Sequence, residues 1–260
     1  NQIKEYNRYK LNYIFKANLA YINFFMKKIL SIQQPYFFPY IGYFQLINRS
    51  ETHVILDHVN FKKRSWISRN RILNNSKINY INIPIENPSQ NRKINLTRIS
   101  NTSKWQDDLI KKIIFSYGKT KNFEEVFPIL QKIILFKTNS LSDYLYQNIS
   151  ELCKFLRIET KLIISSKLKN DKILKNKDLI ISIIKQRKFK NYINLSGGID
   201  LYEKKYFKKN NINIDFIKNK VTNYTQHKNK RFIENMSIID MLMNIGKKET
   251  IKNLNKIDLY

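Results

Sequence analysis

From residue 28 onward, short β-like runs alternate with stretches whose apolar residues fall three or four apart, and few folds can absorb that alternation. No repeat, low-complexity block or Gly/Ser linker interrupts it, which predicts one continuous α/β domain over residues 26–260. Strands are expected at 27–33, 52–59, 80–85, 161–166, 192–195 and 212–218. The first cannot run on, because Pro35 and Pro39 both lack a ladder donor. Helices are expected at 41–50, 177–189, 199–210 and 237–245, and three more at 102–118, 123–136 and 140–158 form a helical insertion around 102–158. The basic stretch at 60–73 reads as a loop or helix. The fold class that follows is α/β, with an open, mostly parallel, Rossmann-like sheet flanked by helices.

The chain opens on Asn1, and Met26-Lys27-Lys28-Ile29-Leu30 reads as a natural start, so residues 1–25 are expected to be an appendage to that domain. Their apolar run YIFKANLAYINFF contains Lys16 and Asn18 and is too short and interrupted for a membrane span.

A formal charge of +28, from 48 Lys+Arg against 20 Asp+Glu, ordinarily points to nucleic acid or an anionic membrane. Here the residues in excess are Lys, Asn, Ile, Tyr and Phe, all with A/T-rich codons. Codon drift toward lysine therefore accounts for much of the charge, and nucleic acid is not the expected partner. A single cysteine, Cys153, excludes an internal disulfide, fits a cytoplasmic location, and lies in an apolar-periodic stretch that predicts a buried thiol. The histidines are His53, His58 and His227; the first two are not at a helical metal spacing, so no metal site is expected. Walker, GxGxxG and GxSxG motifs are all absent.

In open parallel sheets ligands bind beyond the carboxyl ends of the strands. Those ends carry Gln33-Gln34-Pro35-Tyr36, Asp57-His58 and Ser196-Gly197-Gly198. Gly197 and Gly198 offer main-chain donors for a phosphate or carboxylate, and two adjacent glycines in a chain with five predict a backbone that tolerates little else. KKRSWISRNR sets Lys62, Lys63, Arg64, Arg69 and Arg71 around Trp66, combining guanidinium forks with a stacking surface, or else forms a solvated basic loop with one core tryptophan. Asp57 ends a strongly apolar strand, so it is the candidate base, with a structural hydrogen bond to a neighbouring loop as the alternative.

Four segments, QPYFFPYIGYFQLI (34–47), LDHVNFKKRSWISRNRIL (56–73), YINLSGGIDLY (192–202) and SIIDMLM (237–243), together resemble the WbqC-like protein family, from about Ile29 to near the C-terminus. Gln34, Pro35, Tyr36, Pro39, Gly42 and Tyr43 match its first motif, and Asp57, Lys63, Trp66, Arg69 and Asn70 its second. Asn194, Gly197, Gly198 and Tyr202 match the third, and Ser237 and Asp240 the last. Departures stand at His58, Asn60, Ser196 and Asn176-Lys177, the last altering any polar contact at the start of the helix at 177.

The resemblance implies a place in surface-polysaccharide assembly of the O-antigen kind and supplies no cofactor. Two functions follow from it. One is an enzyme, a transferase acting on a small anionic or sugar-linked substrate such as an amino sugar or nucleotide-linked sugar. Its substrate would be held by Gln34, Tyr36, Tyr43, Lys63, Trp66, Arg69, Asn70, Gly197, Gly198, Tyr202, Ser237 and Asp240, with Asp57 as base. The other is a non-catalytic accessory that binds glycan intermediates.

A chain beginning at Met26 should melt as cooperatively as the full one; a loss above about 1 kcal/mol in urea denaturation would show that residues 1–25 pack on the domain.

Overall fold

The computed structural model describes residues 28–101, 104–169, 174–226 and 231–260, so the expected appendage and His227 lie outside the described residues. The chain begins with β1 (Ile29–Gln33), α1 (Ile41–Asn48), β2 (Thr52–Ile55), β3 (Arg69–Asn74) and β4 (Lys77–Asn82). Helices α2 (Trp105–Tyr117), α3 (Phe123–Ile134) and α4 (Leu141–Phe155) follow. Alternation resumes with β5 (Lys161–Ile164), α5 (Asn176–Gln186), β6 (Asn191–Leu195), α6 (Lys204–Lys209), β7 (Asn213–Asn219), α7 (Ile238–Asn253) and β8 (Ile257–Leu259).

The main sheet runs β5-β2-β1-β6-β7-β8 and is parallel except for β8, which pairs antiparallel with β7. Numbered within the sheet alone this is 3-2-1-4-5-6, the doubly wound order, and the winding reverses between β1 and β6. The expected open, mostly parallel sheet flanked by helices is the one observed. One face is covered by α5 and α6, whose Ile180, Ile183, Ile184 and Phe207 pack on Leu30, Ile32, Val54 and Tyr192. A larger core joins α1, α2, α3, α4 and α7 to the β3–β4 hairpin. Among the described residues no helix is long and apolar enough to cross a membrane.

Three local expectations need correction, and one strand was not foreseen. The stretch at 60–73, read as loop or helix, ends in strand β3, which forms a separate two-stranded antiparallel sheet with β4. Its alternation was hidden by charge: Asn70 and Ile72 point inward while Arg69 and Arg71 face outward between them. The two-residue turn Asn75-Ser76 takes φ of 46° and 62°, the left-handed pair that a type I′ hairpin requires. The helix expected at 199–210 is a 3-10 turn (Ser196–Leu201) followed by the short α6, because two glycines weaken a longer helix. The last helix extends beyond 245 to Asn253 across a break at Gly246, with φ 77°. Strand β8, three residues long, is too short to show a periodic signal.

Beneath the sheet's centre lies a buried polar chain. Ser31 on β1 and His53 on β2 are direct register partners, with Ser31 Oγ and His53 Nδ1 2.7 Å apart. His53 Nε2 lies 3.4 Å from the Tyr43 hydroxyl, which donates to the carbonyl of Gln34. Burial lowers the His53 pKa from an ordinary 6.5 to about 3. The unfolded chain therefore binds a proton below 6.5 that the folded one refuses, and stability falls as pH drops through that window. The loss should approach about 1.4 kcal/mol per pH unit. A His53→Gln chain should show a flatter slope in urea melts between neutral and mildly acid pH; an unchanged slope would assign the acid sensitivity elsewhere.

Candidate functional site

Where the winding reverses, neighbouring crossovers diverge and leave a crevice outside the carboxyl ends of β1 and β6. A cleft of about 620 Å³ occupies that place. Gln33 and Gln34 from β1 and Asn194, Ser196 and Gly197 from β6 form its base and one wall, and Trp66, Asn70 and Arg71 form the hairpin wall.

The loop after β1 is fixed by buried hydrogen bonds. Phe38 has φ 41°, in the left-handed region. Its N–H donates to Asn148 Oδ1 (3.1 Å), and its carbonyl accepts from Asn70 Nδ2 and from Ser237 Oγ (2.8 Å each). Asn70 Nδ2 also donates to the Phe37 carbonyl, and the Phe37 N–H donates to that of Trp66. These bonds set Tyr36 and Tyr40 into the cleft with the hairpin beside them.

The cleft is nearly free of charge. In a chain with 48 Lys+Arg, Arg71 is the one cation among the described lining residues, and none of those residues is Asp, Glu, His or Cys. The Arg71 guanidinium lies over the Trp66 ring at 5.3 Å, and one Nη donates to the Asn235 carbonyl at 2.9 Å. Its Nε is shielded from solvent and has no partner among the described residues. Amides of Gln33, Gln34, Asn194, Asn219 and Asn235 and the hydroxyl of Ser196 add further polarity. Burial raises the phenol pKa values of Tyr36 and Tyr202, and burial together with the neighbouring Tyr36 pushes Tyr40 up to about 12. All three phenols therefore stay neutral at physiological pH and can donate.

Of the residues singled out in the sequence, Gln34, Tyr36, Trp66, Asn70, Gly197, Gly198 and Tyr202 line this cleft. Asp57, Arg69 and Gly197 were expected in one pocket, and only Gly197 lies in it. Asp57 is fully buried beside the cleft wall residue Leu56, with both oxygens engaged. Oδ1 accepts from Ser165 Oγ and the Ser166 N–H, and Oδ2 from Ser142 Oγ and Ser166 Oγ, all within 2.9 Å. That is the structural alternative raised for it, and it leaves no lone pair facing a substrate.

Lys63 is exposed outside the cleft, and the Arg69 guanidinium covers Tyr80 at 4.8 Å. Tyr43 is buried under the floor, and Ser237 caps α7. Asp240 accepts from Tyr117, Tyr224 and Gln226, with burial raising its pKa against those bonds. Tyr40, Asn219 and Asn235 were missed as site residues, and Arg71, named beside Trp66, was passed over in favour of Arg69. The period of two along β3 would have put Arg69 and Arg71 on one face, but choosing between them needed the position of Trp66. Cys153 is buried, its thiol pushed up to about 12 by desolvation, which leaves it inert. Among the described residues no cluster of three or more His, Cys, Asp or Glu could hold a metal ion.

The WbqC-like protein family matches residues 34–252. The chain is also similar to the uncharacterized protein Rv1507c of Mycobacterium tuberculosis, at 30% identity over 139 residues, which is 53% of this chain and 59% of that one. The match thus spans about three-fifths of that relative's length. No solved structure matches the chain.

An Asp57→Asn chain should lose about 1–3 kcal/mol in urea denaturation, because an amide cannot accept at both positions and strands a buried donor. Unchanged stability would argue that the carboxylate is kept for something other than the fold.

Proposed function

The chain belongs to the WbqC-like protein family, and from that premise we propose that its cleft binds a sugar-linked substrate bearing an anionic group during surface-polysaccharide biosynthesis. The observation that carries this reading is Arg71, a guanidinium stacked on Trp66 and the one cation among the described residues of a cleft otherwise lined by neutral groups. Only one of its two Nη groups bonds to main-chain carbonyls, and the other can pair with a carboxylate or phosphate oxygen of the ligand. Amide side chains match the alternating donors and acceptors of sugar hydroxyls, and Trp66 and Tyr202 offer faces for a pyranose. The many surface lysines contribute long-range attraction for such an anion and no geometry.

A transferase of this build, acting on an amino sugar or nucleotide-linked sugar, would draw its protons from the phenols of Tyr36 and Tyr40 rather than from Asp57. The lack of Asp, Glu and His among the described lining residues favours the second reading, a non-catalytic accessory that holds a glycan intermediate. Turnover separates the two: incubation with nucleotide sugars and acyl donors gives a modified sugar only from a transferase.

Arg71→Lys keeps the charge and removes the planar fork, so titration calorimetry with a panel of nucleotide sugars should show affinity falling by about 1–3 kcal/mol for the sugars that bind. Arg69→Lys, changed outside the cleft, should bind like the parent. The reverse pattern would move the site along the hairpin to Arg69 and Tyr80.

A further inference from the structure

Three physical conditions make a side chain costly where a glycine stands. Its backbone takes a left-handed φ, a neighbouring atom leaves no room for a Cβ, or a ligand must reach the main chain. Four of this chain's five glycines fall under the first two. Gly246 is left-handed, a Cβ on Gly42 would meet the Tyr40 ring, and one on Gly118 would lie 2.6 Å from the Ile114 carbonyl. At Gly198 the Asn194 amide, at 3.0 Å, and the Tyr202 ring, at 3.2 Å, close the space.

Gly197 satisfies neither condition. Its φ lies outside the left-handed region, and no described atom lies within 4 Å of where its Cβ would stand. Gly197 is exposed and lines the cleft together with Tyr202 and Leu201, an apolar side chain left 69% exposed. Bare main chain beside an exposed leucine and a tyrosine ring suits a flat group with an apolar face, brought to within about 3.5–4 Å of the backbone.

Resting on the reading of the cleft as an anionic-sugar site, we infer that Gly197 determines specificity: a ring of the ligand, a pyranose or a base, lies directly against the Ser196–Gly198 main chain. A methyl group at 197 then fits the empty protein and occupies the place of the ring.

The test uses the full chain and three probes, uridine diphosphate glucose, glucose 1-phosphate and uridine monophosphate, titrated by calorimetry. Gly197→Ala should melt at or slightly above the parent's temperature, since alanine restricts the unfolded chain, while Gly198→Ala melts lower. Affinity should fall severalfold in Gly197→Ala and at least about tenfold in Gly197→Val. The smaller probe that loses affinity identifies the ring: glucose 1-phosphate for a pyranose, uridine monophosphate for a base. If Gly197→Ala melts as low as Gly198→Ala, the glycine serves the fold and the inference is overturned. If Arg71→Lys weakens binding and Gly197→Val does not, the anionic-sugar reading stands and this inference alone falls. A parent chain that binds none of the three probes overturns that reading and the inference with it.

Discussion

Phe38 holds a left-handed backbone that costs a bulky side chain about 1–3 kcal/mol, and such a conformation persists only where its surroundings over-determine it. Here they do, through Asn148 of α4, Asn70 of β3 and Ser237 at the start of α7, all buried and all bonded to the two polar groups of that one residue. Because the reversal in sheet winding leaves a crevice beside β1, the direction taken by the loop after β1 decides what that crevice contains. The Phe38 knot turns the loop so that Tyr36 and Tyr40 enter the crevice while Phe37 and Phe38 go into the core.

The same arrangement recurs around the cleft. Asp57 is surrounded by serine hydroxyls, Asp240 by two phenols and an amide, and His53 by a serine and a tyrosine. Each of these polar groups is internally satisfied, as a low-dielectric interior demands, and each ties together elements that the strand order alone leaves loose. The cleft walls differ in kind: one guanidinium among neutral amides and phenols, and a glycine with open space before it.

This division explains what the sequence made legible. Strand ends were readable because apolar runs stop at prolines, carboxylates and glycines, and two of the three chosen ends do flank the cleft. The polar residues of the motifs were readable as special, but not as frame or site. Asp57 and Asp240 stand out in sequence for the same reason that a catalytic carboxylate would, a charge within an apolar run. Their roles depend on partners 85 and 123 residues away, Ser142 and Tyr117. Arg71 was hidden among four neighbouring cations until Trp66 and the carbonyl of Asn235 singled it out. The glycine pair was read as a constrained backbone, and that holds for Gly198 alone.

The partners of Phe38 lie 110, 32 and 199 residues along the chain from it. During synthesis the first strand and its loop therefore leave the ribosome long before Ser237 exists to hold them. At 5–20 residues per second the delay is roughly 10–40 s. Through that interval two phenylalanines meant for the core, and the tyrosines beside them, have no final place. The Ser237 tie to Phe38 is thus among the last contacts of the cleft's frame that the growing chain can make, and a chain released before the final helix has most of the sheet without that tie.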